Sequence, residues 1–234
     1  MKALCFARLL LLAAVVLSGT ADARVPVYEE PIRNVYLIRH GEYDQEDERD
    51  PDVGRGLVGL GIAQARLVAG RLVGDGTAFT SLQASTMTRA RETAKVIAAR
   101  FPELELVLHR DIRECTPATR RADIMAREAP DEIAACEANL AAAWARIFRP
   151  AGDADAHDIV VCHGNVIRWF VTRALEVDTE AWLGMSIANC SLTVIQVKPD
   201  GSCKVVAFAD AGHLPAHMRT YPGTPLENAD GLDW

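Results

Sequence analysis

The sequence predicts an α/β domain with a mostly parallel central sheet flanked by helices, and three observations carry that prediction. The apolar run Val35-Tyr36-Leu37-Ile38 stops abruptly at Arg39-His40-Gly41. A second apolar run, Ile159-Val160-Val161, leads into Cys162-His163-Gly164-Asn165. Short apolar runs rich in β-branched residues read as strands covered on both faces. Between them, segments with helical spacing of apolar residues alternate with further short apolar runs, which is the pattern of β-α units and parallel pairing. Two strands ending in His-Gly would bring two imidazoles to one sheet edge, where open α/β sheets place their ligand crevice.

Each element follows from its own residues. Residues 24–34 read as an extended lead-in and 35–39 as the first strand. The loop from 42 to 55 carries Asp44, Glu46, Asp47, Glu48, Asp50 and Asp52, and is expected to be solvated and mobile. A helix over 60–73 follows, with Ile62, Ala65, Leu67, Ala69 and Leu72 supplying its apolar face. Residues 79–84 read as a second strand and 88–100 as a second helix, on which Ala90, Ala94 and Ile97 recur at helical spacing toward Phe101. A third strand is expected at 104–108. The Ala- and Glu-rich stretch 124–148 reads as a short helix, a break at Pro130, and a longer helix from about Asp131. A strand at 158–162 and a helix at 166–175 form another β-α unit. The pattern ends in a hairpin: 192–197, the turn Lys198-Pro199-Asp200-Gly201, and 204–208.

The N-terminal residues read separately. Lys2 and Arg8 form a positive region ahead of the uninterrupted apolar run Leu9 to Leu17, and Ala21-Asp22-Ala23 has the small-x-small form of a cleavage site. This pattern predicts a signal peptide over 1–23 and a periplasmic or secreted domain over 24–234, with no stable membrane insertion after cleavage. Roughly 210 residues then remain, enough for one α/β domain with its own core.

The net charge is −7. That balance argues against a general nucleic-acid surface and makes local arginine clusters the informative cations. Cys115, Cys136, Cys162, Cys190 and Cys203 form no CxxC pair, so no zinc knuckle is indicated and the sequence does not choose disulfide partners.

The stretch Ser85-Thr86-Met87-Thr88-Arg89 joins the second strand to the second helix. Ser85 or Thr88 can cap that helix, and its first amides then favour a phosphate. Arg89, in the first turn, adds a planar fork of donors suited to phosphate oxygens.

Taken in order, three motifs resemble the histidine phosphatase (phosphoglycerate mutase-like) superfamily, over nearly the whole chain after residue 23. They are Leu37-Ile38-Arg39-His40-Gly41, the run from Ser85 through Arg89 to Ala94, and Cys162-His163-Gly164-Asn165-Val166-Ile167-Arg168. Asp111-Ile112-Arg113-Glu114, Arg173-Ala174-Leu175 and Asn189-Cys190-Ser191-Leu192-Thr193 are most similar to the branch containing the mitochondrial protein serine/threonine phosphatase. The resemblance implies His40 as nucleophile and Arg39, Arg89 and His163 as ligands of the phosphoryl oxygens. It implies Glu114 as the acid that protonates the leaving oxygen. It also implies a phosphomonoester hydrolase that needs no metal or cofactor, forms a phosphohistidine, and acts on a phosphorylated small molecule or a phosphoprotein.

Two other readings stay open at this point: a phosphohistidine-directed protein phosphatase, and a non-catalytic module that binds phosphate or phosphopeptides. Binding alone would need only the cations and helix amides, so both histidines and an acid candidate favour turnover. Tyr43 and Glu46 stand where phosphoglycerate mutases carry Ser and Asn, which argues for hydrolysis over mutase chemistry. The tryptophan-aspartate motif through which the mitochondrial relative assembles does not occur before Arg39, so no oligomeric state carries over. Asn165 either orients the loop of His163 or caps the next helix. Asp210-Ala211-Gly212-His213 is either a pocket loop or a plain turn, and His109, His157 and His217 read as surface or packing residues.

Overall fold

The structure is a computed structural model that describes residues 30–47 and 53–221. Its elements, in chain order, are β1 (Arg33–Arg39), α1 (Gly59–Gly74), β2 (Ser81–Ser85), α2 (Thr88–Ala98), β3 (Leu106–His109), α3 (Ala122–Met125) and α4 (Pro130–Ile147). Then come β4 (Ala156–Cys162), α5 (Gly164–Ala174), β5 (Leu192–Val197) and β6 (Cys203–Asp210), with 3₁₀ turns at Thr179–Gly184 and Ala216–Met218. The strands form one sheet in the order β3-β2-β4-β1-β5-β6. β1, β2, β3 and β4 pair in parallel, while β5 and β6 add antiparallel pairing at one side. The fold class expected from the alternating elements is the one observed.

Alternation along the strands divides the core into two layers. Val35 and Leu37 of β1, with Val160 and Cys162 of β4, face α4 and α5 and pack with Leu140, Ile167 and Phe170. Ile38, Ile159 and Val161 face the other way, toward Ala65 and Leu72 of α1 and Ala94 and Ile97 of α2. Both central strands are therefore apolar along their length, because each face meets a helix.

Boundaries differ from the expectation where a local pattern and a tertiary contact compete. β2 starts at Ser81 instead of 79, since Phe79 turns its ring edge-on to Tyr36, 5.0 Å between centroids, before pairing begins. Pro130 does not lie in the break; it opens α4. A first-turn proline gives up an N–H that has no helical partner and already holds a helical φ. α2 begins after Met87, and neither Ser85 nor Thr88 provides a side-chain cap.

The acidic loop lies partly outside the described residues, including Glu48, Asp50 and Asp52. Its described ends are tied down: Tyr43 and Leu57 form an antiparallel bridge. The Asp44 N–H donates to the Gly56 carbonyl at 3.0 Å, and the Leu57 N–H to Glu92 at 2.7 Å. Residues 1–23 also lie outside the described residues. Among the described residues, no helix is long and apolar enough to cross a membrane.

Candidate active site

Register sets the site. β1 and β4 are neighbours with Arg39 opposite Cys162, so the residues that follow, His40 and His163, leave the sheet side by side. The His40 N–H still donates to the Cys162 carbonyl at 3.0 Å. The two rings end 5.1 Å apart between centroids, and both are buried. On the far side of β4, the end of β2 delivers Ser85, whose hydroxyl lies 2.8 Å from His163 Nε2.

His40 is held in one orientation. Its Nδ1 lies 2.8 Å from the Gly41 carbonyl, an acceptor, so Nδ1 carries the proton and Nε2 keeps its lone pair. Nε2 faces Arg89, whose Nε–H donates to it at 3.1 Å. Behind the ring, Asn189 donates from Nδ2 to the His40 carbonyl at 2.7 Å, and Thr93 Oγ1 accepts the Gly41 N–H at 3.0 Å. The Gly41 turn needs its glycine: a Cβ there would sit 2.6 Å from the Gly61 carbonyl oxygen of α1.

Two guanidiniums flank the imidazoles. Arg39 extends under the N-terminus of α5, where a Cβ on Gly164 would stand 3.3 Å from its Cζ, and donates from Nη1 to the Ile187 carbonyl at 2.5 Å. Arg89 lies over the Tyr43 ring, 4.8 Å from its centroid, and Tyr43 also meets His40 edge-on at 5.3 Å. Burial, reinforced by the nearby guanidiniums, holds both His40 and His163 well below the usual imidazole range. Both rings are therefore neutral near pH 7.

Glu114 completes the group from the loop after β3. Its Oε1 accepts the Asn165 N–H at 3.1 Å, and its Oε2 lies 3.8 Å from His163 Nδ1. Burial raises its carboxyl above the ordinary glutamate value, and the pull of Arg39, Arg89 and the Asn165 N–H offsets this only in part. His40, Glu114 and His163 each offer one ligand atom, all within 4.8 Å of one another. Such a trio can hold a metal ion, but the adjacent guanidiniums repel a dication and suit an anion.

The structure thus brings together all five residues singled out in the sequence: Arg39, His40, Arg89, Glu114 and His163. Of the two readings of Asn165, capping does not apply, since α5 has no side-chain cap; its amide instead donates to the Cys115 carbonyl at 3.0 Å. His213 packs behind the site, its Nε2 2.9 Å from the Cys190 carbonyl. Sequence reasoning missed Tyr43 as a wall of the pocket, Ser85 as the partner of His163, and the supports Thr93 and Asn189. Ser85, Thr93 and Asn189 lie inside the motifs that carry the resemblance; Tyr43 does not. The unassigned disulfide proves to join Cys115 and Cys136, with Cα atoms 5.7 Å apart.

Comparisons with known proteins follow this geometry. The mitochondrial serine/threonine-protein phosphatase Pgam5 of Caenorhabditis elegans is 38% identical over 194 residues, covering 81% of this chain and 66% of that protein. Its Homo sapiens counterpart is 32% identical over 188 residues, covering 78% and 64%. The chain thus spans just under two thirds of the length of these relatives. Among solved structures, a phosphoglycerate mutase from Plasmodium falciparum superposes with a TM-score of 0.56 at 26% identity, covering 80% of this chain and 96% of that one. A phosphoserine phosphatase from Entamoeba histolytica shares the fold, with a TM-score of 0.60 at 19% identity and coverage of 78% and 100%.

These relatives correct one expectation. A signal peptide and a periplasmic or secreted destination do not stand, because the similar proteins are named as mitochondrial. N-terminal basic residues occur in secretory and in organelle-targeting segments alike, so this pattern does not choose the compartment. The family model described as the histidine phosphatase superfamily (branch 1) matches residues 35–211, which run from within β1 to just past β6 and include every group at the site, and the chain belongs to that superfamily.

Proposed function

We propose that this protein is a phosphomonoester hydrolase that works through a phosphohistidine at His40 and acts on phosphoserine or phosphothreonine in proteins. The observation that carries the reading is the state of His40: a neutral imidazole with its proton fixed on Nδ1 and its Nε2 lone pair directed at a guanidinium-lined pocket. A neutral imidazole is a competent nucleophile near pH 7. The protein substrate is the finer part of the reading, and the names of the relatives support it.

In the first step the Nε2 lone pair attacks phosphorus and the bond to the leaving oxygen breaks. Arg39 and Arg89 spread their donors over the phosphoryl oxygens as negative charge redistributes. If Ser85 donates its hydroxyl proton to His163 Nε2, the His163 proton lies on Nδ1, which is buried and has no hydrogen-bond partner among the described residues. That N–H then serves the third phosphoryl oxygen. Glu114, whose carboxyl burial raises above the ordinary glutamate value, gives its proton to the leaving alkoxide. In the second step the Glu114 carboxylate takes a proton from water as the water oxygen attacks phosphorus, the P–N bond breaks, and His40 is restored. The positive charge comes from side chains, so the scheme uses no metal.

Quenching under alkaline conditions with ³²P-labelled phosphopeptide should trap label on wild type and none on His40→Ala. Label on the variant, or wild-type turnover by it, would remove His40 from the nucleophile role. Glu114→Gln should lose roughly a hundredfold or more in kcat on a phosphoserine peptide and far less on p-nitrophenyl phosphate, whose leaving group departs without a proton.

A further inference from the structure

Glu114 lies on a loop without regular structure, yet the first residue beyond it is fixed covalently. Cys115 is joined to Cys136, which is buried in the core layer formed by α4 and α5, a turn away from Leu140. The bond closes a 21-residue separation that contains α3 and the first turn of α4. Asn165 grips the same two residues from the other side. Its backbone N–H donates to Glu114 Oε1 at 3.1 Å and its side-chain amide to the Cys115 carbonyl at 3.0 Å. Arg168, one turn along α5, donates from Nη1 to Asn165 Oδ1 at 3.3 Å and so fixes which way that amide faces. The Glu114 N–H donates to the Met87 sulfur at 3.3 Å.

We propose that the Cys115–Cys136 disulfide and the Asn165 side chain are the positioning device for Glu114, and that thiol reduction of the disulfide slows protonation of the leaving group. The inference rests on the reading of Glu114 as the general acid. The redox step is ordinary thiol–disulfide exchange with a dithiol. One thiolate of the reductant attacks Sγ of the half-buried Cys115, the S–S bond breaks, and the Cys136 thiolate leaves and takes a proton. The second reductant thiolate then displaces Cys115 as its thiolate, which is protonated in turn, and the reductant ends as a cyclic disulfide. The protein gains two thiols. Cys115 then keeps the hydrogen bond from Asn165 and its packing on the core layer but loses its covalent tie to α4, so the backbone that carries Glu114 holds the carboxyl less firmly at its distance to the leaving oxygen. A displacement of about 1 Å at a reacting group can cost on the order of a hundredfold in rate.

The test uses the full chain, with the disulfide mapped by mass spectrometry of unreduced peptides, before and after dithiothreitol. Turnover is followed on a phosphoserine peptide and on p-nitrophenyl phosphate. Reduction should lower kcat on the peptide by roughly tenfold or more and on the nitrophenyl ester by less than about threefold. The double variant Cys115→Ser, Cys136→Ser should show the same split without reductant. Asn165→Ala should show it with the disulfide intact. Glu114→Gln should not respond to dithiothreitol on either substrate.

Equal peptide rates before and after confirmed reduction would overturn the proposal. So would the lack of a Cys115–Cys136 bond in the isolated protein, or a parallel fall on both substrates, which would make the bond a support for the whole fold. If Glu114→Gln itself loses equally on both substrates, the general-acid reading fails first. If that variant splits the substrates and reduction does not, only the positioning proposal fails.

Discussion

Arg89 donates its Nε–H to Nε2 of His40 at 3.1 Å, so the nitrogen with the lone pair is addressed directly by a cation. The contact orients the ring and helps keep it neutral. In the proposed mechanism it must also yield before Nε2 attacks phosphorus, and a phosphoryl oxygen is a better acceptor for that N–H than an imidazole nitrogen. On that proposal, substrate binding and activation of the nucleophile use the same hydrogen bond.

Arg89→Ala is expected to lower kcat/KM by roughly a hundredfold or more, as for loss of a charged transition-state contact. Arg89→Lys should recover only part, because a point charge does not reproduce the fork. In Arg89→Ala the acid limb of the pH–kcat/KM profile should move to higher pH, since removing a cation relieves part of the depression of His40. An unmoved limb with normal kinetics would place Arg89 outside the reaction.

Glu114 should cost the protein stability at neutral pH. Its carboxyl is raised in the folded state, so folding binds protons relative to the unfolded chain, and stability falls as pH rises from near 4.5 through the folded value. Glu114→Gln should therefore have a higher urea midpoint than wild type at pH 7. The advantage should vanish below about pH 4, where glutamate is protonated in both states. His40 and His163 act with the opposite slope: their depressed values make the folded state lose stability as pH falls through about 6.5. Midpoints measured from pH 4 to 8 on wild type and Glu114→Gln separate the two effects.

Gly61→Ala should disturb the site from outside it. A Cβ at Gly61 would fall 2.0 Å from the Glu42 carbonyl oxygen, and backbone on both sides leaves no flexible atom to yield. The change should destabilise by about 1–3 kcal/mol, the usual range for overpacking. It should also lower kcat, because Glu42 is two residues from His40. Loss of stability with full activity would show that the loop moves independently of the nucleophile.

Asn189→Ala removes the amide that satisfies the buried His40 carbonyl at 2.7 Å. The carbonyl also faces the Cys190 N–H, but at a longer 3.4 Å. A cost of about 1–3 kcal/mol is expected, as for an under-satisfied buried acceptor, and thermal or urea denaturation checks it. Asn189→Asp should fare worse, since it sets an acceptor against an acceptor.

Much of this protein is local information. The strands that became β1 and β4 are unbroken apolar runs because each strand face meets a helix, and their His-Gly ends mark where pairing stops. The order of the motifs identified the family and the five charged or titratable groups at the pocket. Tertiary structure decided how those groups are held. The Asn189–His40 contact spans 149 residues, Gly41–Thr93 spans 52, and Asn165–Glu114 spans 51. Such contacts arise from strand order and loop path, and neither leaves a period in the sequence. The same reason hid the Cys115–Cys136 pairing: spacing alone does not say that an irregular loop will lie against one face of α4, and only packing of α4 on α5 brings those two Cα atoms to 5.7 Å.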